Sequence, residues 1–380
     1  MLFKDFNFSR TLLTLILELG YKNVYPIQAK AIPLILDKKD VLGIAKTGSG
    51  KTASYVLPII SSIVQPKKSP NRHISILVVV PTRELAIQIS DVFIYFKKGA
   101  DRDLAVKSVY GGVSINPQMK AMKGVDILVA TPGRLLDLVE SNAVHLSKVK
   151  IFVLDEADKM LGLGFEEEMN RIFSLLPKNK QSLLFSATLS EDIDKLSKLH
   201  LQEPVIININ KGIQNKILIK QKSYIVTEKR KGPLLRYLIK NNEMQQVLIF
   251  ASSTYQVKHI TNKLNKNGIK ASAFYGKKSQ SSRTLTLKQF KDGKINVLVA
   301  TDILARGIDI IKLPIVINYE LPRSPKDYIH RIGRTGRADS KGEVISLITK
   351  KDLNHFKVIQ KKIGQRFELI ETGDLELNGY

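Results

Sequence analysis

The sequence predicts an α/β protein with two parallel-sheet lobes joined by a short linker. The chain has 380 residues, a length that favours two domains. Short runs rich in Val, Ile and Leu alternate with helix-period segments in both halves, which is typical of parallel sheets covered by helices on both faces. A polar stretch without a clear period separates the halves. We therefore predict a first lobe at 1–208, a linker at 209–217 and a second lobe at 218–380.

The elements follow from the apolar periodicity. In the first lobe, strands are predicted at 40–45, 74–80, 104–110, 126–130, 150–154 and 181–185, with helices at 83–97, 114–123, 132–141 and 165–175. In the second lobe, strands are predicted at 247–251, 270–275, 296–300, 315–318 and 343–348, with helices at 255–267, 279–292, 325–332 and 352–363. The joint is expected within 204–222.

The charge balance indicates a polyanionic partner. The net charge is +25, and residues from Lys211 onward carry 33 Lys and Arg against 14 Asp and Glu. Nucleic acid is the natural partner of such a charge. An anionic membrane surface also fits, but the longest apolar stretch, 74–80, is only strand-sized, so we expect no membrane span. A role in solubility alone, or a bias in genome composition, remains open.

The absence of cysteine excludes disulfides, thiolate zinc sites and iron–sulfur clusters. The apolar run at 12–19 is interrupted by Thr14 and Glu18, and no small-residue cleavage site follows it. A cytoplasmic protein is therefore expected.

A glycine-rich loop lies between an apolar run at 41–45 and a helix-like run at 52–60. Its residues are Ala45, Lys46, Thr47, Gly48, Ser49, Gly50, Lys51 and Thr52. A strand, a turn ending in Gly-Lys-Thr and a helix form the phosphate-binding loop of NTP-hydrolysing enzymes. Lys51 is predicted to reach the β- and γ-phosphates, and the Thr52 hydroxyl to ligate Mg²⁺. The structural alternative is an ordinary glycine-rich turn with a solvated lysine.

Two acids, Asp155 and Glu156, follow the apolar run at 150–154. At the carboxyl end of a strand, Asp155 is predicted to hold the water shell of Mg²⁺, and Glu156 to orient and deprotonate the attacking water. An isolated pair of acids would cap a strand end in solvent. The loop upstream favours the catalytic interpretation.

The four residues at 155–158, Asp-Glu-Ala-Asp, resemble the signature of the DEAD-box RNA helicases of superfamily 2. The resemblance to this family covers nearly the whole chain. Further motifs of that family follow in its order, at 26–28, 81–86, 111–112, 131–134, 186–188, 247–253, 280–283, 300–309 and 330–337. The resemblance implies two RecA-like lobes, ATP and Mg²⁺ as cofactors, and RNA as partner. The stretch 318–322 is most similar to the bacterial RhlE-like branch.

The resemblance also assigns the nucleotide contacts outside the loop. Gln28 is implied to pair with the adenine edge through its amide, and Phe3 to stack on the base, so that ATP is preferred over other triphosphates. A simple hydrophobic anchor is the alternative role for Phe3, which lies two residues from the chain start where fraying is common. Val24 and Tyr25 stand where the family usually has Pro-Thr.

In the second lobe the resemblance makes Arg334 and Arg337 arginine fingers, planar cations that stabilise charge on the transferring phosphoryl group. Asp309 is implied to bind the nucleotide, at the ribose. The residues implied to couple nucleotide and RNA are Asp158, Ser186, Thr188 and His330. Structural alternatives are a strand-end cap for the two hydroxyls and a satisfied interface histidine for His330.

The implied RNA contacts are side chains and glycines suited to gripping phosphate and sugar without reading bases. They are Arg83, Gly112, Thr131 and Arg134 in the first lobe, and Gly276, Arg283 and Thr301 in the second.

The predicted function is ATP-dependent RNA unwinding or remodelling, local and nonprocessive, driven by RNA-stimulated ATP hydrolysis and closure of the cleft between the lobes. An ATP-gated RNA clamp or annealing chaperone would use the same residues and stays open. The motif at 26–28 and the motifs of the second lobe argue against a DNA-translocating helicase. A monomer is expected, with proteins of ribosome assembly or RNA decay as typical partners of the RhlE-like branch.

Overall fold

Two parallel seven-stranded sheets organise the computed structural model, one in each of two compact units, Met1–Gln214 and Asn215–Tyr380. The structure describes residues 1–46, 48–63, 71–100, 103–209, 219–276, 278–302, 313–336, 342–365 and 367–380. The predicted linker, 209–217, lies outside the described residues except for residue 209.

The strands of the first unit are β1 (Val41–Ile44), β2 (Ile76–Val79), β3 (Val106–Val109), β4 (Ile127–Ala130), β5 (Ile151–Leu154), β6 (Gln181–Ser186) and β7 (Val205–Asn208). Its helices are α1 (Arg10–Glu18), α2 (Pro26–Leu36), α3 (Lys51–Ser62), α4 (Arg83–Phe96), α5 (Ile115–Lys120), α6 (Pro132–Glu140), α7 (Ala157–Gly162), α8 (Glu166–Leu175) and α9 (Glu191–His200). Its described residues also form two 3₁₀ helices, Phe3–Phe6 and Lys97–Gly99.

The strands of the first sheet lie in the order β3-β4-β2-β5-β6-β1-β7, and all of their pairings are parallel. Neighbouring strand residues belong to opposite cores: Val41 packs with one apolar cluster and Leu42 with the other. Because both faces are covered, the central strands read as continuous apolar runs.

The second unit contains β8 (Ile219–Ile225), β9 (Val247–Phe250), β10 (Ala271–Phe274), β11 (Val297–Ala300), β12 (Ile315–Asn318), β13 (Gly342–Ile348) and β14 (Leu369–Glu371). Its helices within the described residues are α10 (Glu228–Asn241), α11 (Thr254–Lys266), α12 (Gln280–Lys291), α13 (Pro325–Ile332) and α14 (Leu353–Ile363), with a 3₁₀ turn at Lys350–Asp352. The strand order is β10-β11-β9-β12-β13-β8-β14, again all parallel.

Hydroxyl caps start several helices at the carboxyl edges of the sheets. The Oγ1 atom of Thr82 accepts from the N–H of Leu85 at the start of α4, and Oγ of Ser253 accepts from Gln256 at the start of α11. Such caps satisfy backbone donors that the first helical turn leaves unpaired. They fix where each helix leaves the sheet edge that carries the site.

The predicted α/β class with two parallel sheets is confirmed, and each predicted strand is present with its ends shifted by at most two residues. The sequence analysis predicted no strands at the two ends of the expected joint, 204–222, where β7 and β8 lie. These strands and β14 are largely half-exposed or exposed, at or next to a sheet edge. Polar residues are tolerated at such positions, so the sequences of these strands lack the continuous apolar run that predicts a buried strand.

Within the described ranges, no helix combines the length and the apolar character needed to cross a membrane.

Candidate nucleotide and RNA site

The loop after β1 is held together by its own lysine. Lys51 begins α3 and is 7% exposed, and its Nζ donates a 2.7 Å hydrogen bond to the carbonyl of Ala45, where the loop starts. Gly50 precedes the helix with φ of 88°, a left-handed conformation that glycine adopts at little cost. Ala45 is buried, Lys46 and Gly48 are exposed, and Ser49 and Thr52 are half-buried. The middle of the loop is therefore exposed, whereas the ammonium group of Lys51 is buried.

Asp155 follows β5 and is buried beneath this loop. Its Oδ2 accepts a 2.9 Å hydrogen bond from the Tyr55 hydroxyl, and its Oδ1 accepts one of 2.8 Å from the N–H of Glu156. Burial raises the pKa of Asp155 above its usual value, and the nearby charge of Lys51 opposes that rise. The sequence analysis missed Tyr55, although it lies four residues after Lys51 on the same helix face.

Glu156 is the residue in a left-handed conformation (φ 54°) at the start of α7. Its Oε1 accepts a 2.5 Å hydrogen bond from Nζ of Lys159, and both side chains are less than a tenth exposed. Its Oε2 is buried without a hydrogen-bond partner in the described part of the chain. One carboxylate oxygen is thus fixed, and the other retains free acceptor capacity. The role of Lys159 was missed, although its i,i+3 spacing from Glu156 was visible.

These residues fit a magnesium ion of the kind that enters with nucleotide phosphates. Such an ion takes one or two protein oxygens, with water and phosphate supplying the rest. Asp155 and the Thr52 hydroxyl offer these oxygens. No cluster of three His, Asp or Glu side chains suited to a metal lies among the described residues, and this binding mode needs none.

Gln28 contacts the phosphate loop directly. Its Nε2 donates to the carbonyl of Gly50 at 3.2 Å, and its Oε1 accepts from the N–H of Tyr25 at 2.9 Å. Gln28 is 2% exposed. One donor and one acceptor of the amide are therefore used within the protein, which leaves one of each for the predicted contact with a base.

Phe3 is buried in an aromatic cluster. Its ring stacks on Tyr21 with centroids 6.3 Å apart and meets Phe6 edge-on at the same distance. With 5% of its surface exposed, Phe3 is packed against its neighbours despite its place near the chain start. This contact matches the hydrophobic-anchor alternative, and adenine stacking by Phe3 stays a prediction.

The predicted coupling residues of the first unit lie together. Thr188 Oγ1 donates to Oδ2 of Asp158 at 3.3 Å, and Ser186 Oγ donates to the carbonyl of Thr188 at 2.8 Å. Ser186 ends β6, and β6 lies between β5 and β1 in the sheet. The hydroxyls thus connect the end of the acidic motif to the strand next to the phosphate loop.

The implied RNA contacts of the first unit cluster at the other half of the same sheet edge. Arg83, Gly112 and Thr131 follow β2, β3 and β4, which are neighbours. The Arg83 guanidinium fills the space beside Gly112, since a Cβ built on that glycine would lie 2.1 Å from Nη1. Arg134 Nη2 donates to the carbonyl of Val113 at 2.8 Å. The structure therefore brings all four residues to one region.

Of the three predicted RNA-binding residues of the second unit, two are accessible to solvent and one is buried. Gly276 and Thr301 follow β10 and β11, which are paired, and they are exposed and half-exposed. Arg283 is 2% exposed, and its guanidinium lies over the Phe274 ring at 5.5 Å. An Arg283 contact with RNA stays a prediction.

An ion pair between the buried Arg331 and the half-exposed Asp302 joins two motifs of the second unit. Arg331 Nη2 donates to Oδ2 of Asp302 at 2.7 Å, and Nε donates to Oδ1 at 2.5 Å. The guanidinium also donates to Asn318 and lies over the Phe250 ring at 4.8 Å. The sequence analysis gave neither Arg331 nor Asp302 a role, because a residue pair 29 positions apart has no local signal.

The structure describes only some of the nucleotide-binding and coupling residues that are predicted in the second unit. Arg334 is 4% exposed and follows α13, whose half-buried His330 lies one turn earlier. The predicted residues Asp309 and Arg337 of this unit, and Thr47 of the first unit, lie outside the described residues.

The first sheet carries the phosphate-binding loop after β1 and the acids after β5, and β6 lies between these two strands. This arrangement defines a P-loop nucleotide hydrolase. The profile of the DEAD/DEAH box helicase family matches residues 25–196, and that of the helicase conserved C-terminal domain matches residues 230–339. The chain belongs to the family of DEAD-box ATP-dependent RNA helicases.

Relatives and solved structures agree with this assignment. The DEAD-box ATP-dependent RNA helicase CshA of Bacillus subtilis is 37% identical over 375 residues, which cover 98% of this chain and 75% of that protein. A DEAD box protein from Methanococcus jannaschii is 38% identical, with a TM-score of 0.55 over 98% of this chain and 99% of that one. S. cerevisiae Dbp5 bound to RNA and ADP BeF3 is 30% identical, with a TM-score of 0.85 over 98% and 96%. The predicted family, fold and helicase activity are confirmed.

Proposed function

We propose that this chain uses RNA-stimulated ATP hydrolysis to separate or remodel short RNA duplexes locally, without processive travel. The proposal depends on one observation: the carboxyl edge of the first sheet carries two groups of residues, one on each half. Strands β5, β6 and β1 present the phosphate loop and the acids, while β3, β4 and β2 present the cluster around Arg83 and Gly112. A ligand at either half contacts the same sheet, and two ligands that each favour the closed state of the lobes favour each other's binding.

Each residue of the nucleotide half has a proposed role. Lys51 exchanges its bond to the Ala45 carbonyl for the β- and γ-phosphates, and the loop N–H groups cradle the phosphate oxygens. Asp155 and Thr52 hold Mg²⁺, which neutralises charge on the phosphates when bound. Glu156 takes the proton of the attacking water through its unpartnered Oε2, while Lys159 holds its other oxygen.

The second unit completes the reaction in this proposal. Arg334 and Arg337 stabilise the charge of the transferring phosphoryl group, and Asp309 binds the nucleotide. Closure of the lobes, predicted from the two lobes with their short linker and from the family resemblance, belongs to the same proposal. RNA is gripped at phosphate and sugar, so binding is independent of base sequence.

Several finer assignments remain predictions. Residues 318–322 support the RhlE-like branch, for which ribosome assembly or RNA decay are the expected settings. A monomeric state and a cytoplasmic location are likewise predicted.

Steady-state ATP hydrolysis with Mg²⁺ tests the proposal, measured alone, with single-stranded RNA and with DNA of matched sequence. Strong stimulation by RNA alone is expected. Hydrolysis indifferent to RNA would contradict coupling between the two halves of the sheet edge. A second measurement distinguishes unwinding from clamping. It compares the rate at which a strand is released from an RNA duplex with the lifetime of RNA on the ATP-bound protein. Strand release that is faster than loss of bound RNA supports unwinding.

A further inference from the structure

A cavity of about 320 Å³ lies between α10 and α11 of the second unit, apart from every residue assigned above to ATP or RNA. Its apolar lining comes from Leu235, Ile260 and Leu264. Its polar lining consists of Glu228, Lys229, Arg236, His259, Lys263 and Tyr319. A volume of roughly 300 Å³ or more is enough for a small ligand.

Arg236 is the least compensated charge of this cavity. Its Nε is buried without a hydrogen-bond partner, and no ion pair or hydrogen bond of Arg236 occurs within the described residues. Burial lowers the pKa of the guanidinium. The group lies over Gly232, one turn earlier in α10, where a Cβ would come within 3.3 Å of Nη1. A partly buried cation without an anion is costly, and a bound anion would offset that cost.

Two lysines among the other polar groups add to this positive character. Lys229, His259 and Lys263 are exposed at the cavity and have no ion pair in the described part of the chain. Glu228, the one acid among the described lining residues, accepts a 3.2 Å hydrogen bond from Lys231. Burial raises the pKa of Tyr319 to about 12, so its hydroxyl stays protonated and can donate.

We propose that this cavity is a phosphate-binding site, suited to the phosphate group of a nucleotide-sized molecule and anchored by Arg236 with Lys229, Lys263 and the Tyr319 hydroxyl. The planar guanidinium and the hydroxyl are donors that match the several oxygens of phosphate. The apolar lining offers contact area for the organic part of the ligand. The site goes beyond the hydrolysis of ATP, since none of its residues belongs to the machinery proposed above.

Inorganic pyrophosphate is the probe, titrated calorimetrically into the full chain carrying Lys51→Ala to weaken the phosphate loop. One binding event is expected, weakened roughly tenfold by Arg236→Gln because a charged hydrogen-bond donor is lost. Lys240→Gln, an exposed change on α10 outside the cavity, is the matched control and leaves affinity unchanged. Absence of binding, or equal binding by the Arg236 and Lys240 variants, overturns the proposal.

Two further arms complete the experiment. If Arg236→Gln lowers the unfolding temperature, Lys263→Gln replaces it, because Lys263 is exposed; a weaker affinity supports the site and an unchanged affinity overturns it. Single-stranded RNA is then added as a competitor. Loss of the pyrophosphate signal assigns the site to phosphates of RNA, and retention assigns it to a small phosphorylated molecule.

Discussion

The guanidinium of Arg83 occupies the space that a side chain at Gly112 would need. A Cβ at position 112 would lie 2.1 Å from Nη1 and 2.2 Å from Cζ of Arg83, and Gly112 has a φ of +77°. The backbone conformation favours glycine, and a side chain at position 112 would have to displace the guanidinium. The contact fixes the direction of an arginine proposed to grip RNA phosphate.

Gly112→Ala is therefore expected to displace Arg83 and weaken RNA binding about tenfold, while ATP affinity is preserved. The measurement is the RNA dissociation constant by fluorescence anisotropy. Gly111→Ala is the matched control, since a Cβ at Gly111 meets nothing within 4 Å. Equal RNA affinities of the two variants would show that the position of Arg83 does not matter.

Glu156→Gln is expected to bind ATP and RNA but to hydrolyse ATP about 100- to 10,000-fold more slowly, because the amide cannot accept the proton of water. Single-turnover hydrolysis and ATP affinity are measured together. Glu166→Gln, on exposed α8 surface, serves as the control. Normal turnover by the Glu156 variant would refute its assignment as general base.

Lys159→Met removes the partner that holds Oε1 of Glu156. We expect turnover to fall at least tenfold with little change in ATP affinity, and stability to fall by about 3–5 kcal/mol, because a buried carboxylate loses its counter-charge. Lys159→Arg should restore part of the turnover. Exposed Lys195→Met is the control. If Lys159→Met turns over normally at a temperature where it is folded, Lys159 does not position the base.

Gln28→Glu replaces the donor to the Gly50 carbonyl with an acceptor. Two acceptors facing each other at 3.2 Å repel, so ATP affinity should fall about tenfold and the preference for ATP over GTP should shrink. Nucleotide affinities are measured by displacement of a fluorescent analogue. Gln202→Glu is the control, because Gln202 also donates to a carbonyl but lies exposed at the amino edge of the sheet. An unchanged ATP-to-GTP ratio would argue against base recognition by Gln28.

Arg331→Lys keeps the charge but loses the fork that meets both oxygens of Asp302. We expect the free energy of unfolding to fall by about 2–4 kcal/mol and RNA stimulation to drop, since Asp302 adjoins Thr301. Thermal unfolding and RNA-stimulated hydrolysis measure the two effects. Arg323→Lys, at an exposed position, is the control. If both variants unfold at the same temperature, the bidentate pair contributes no stability.

The candidate site was only partly readable from the sequence. The phosphate loop and the acids at 155 and 156 were found because each combines a strand, a turn and a charged residue within a few positions. Lys159 and Tyr55 lie one helical turn from predicted residues, but spacing alone does not say which neighbour a side chain contacts. The predicted RNA contacts of Arg83 and Gly112 came from the family resemblance, whereas the fold shows that the two residues lie side by side.

The sequence by itself determined the α/β class, the central strands and the family, because these depend on local periodicity and on short motifs. The tertiary structure decided which motifs are neighbours. Chain order places β1 first, whereas the sheet places it beside β6, so the phosphate loop meets acids encoded far away, and the bond from Tyr55 to Asp155 spans 100 positions. Parallel strands are joined by crossovers, and sequence spacing does not determine which strands become adjacent. The cavity at Arg236 has the same origin, since it exists only where α10 packs beside α11.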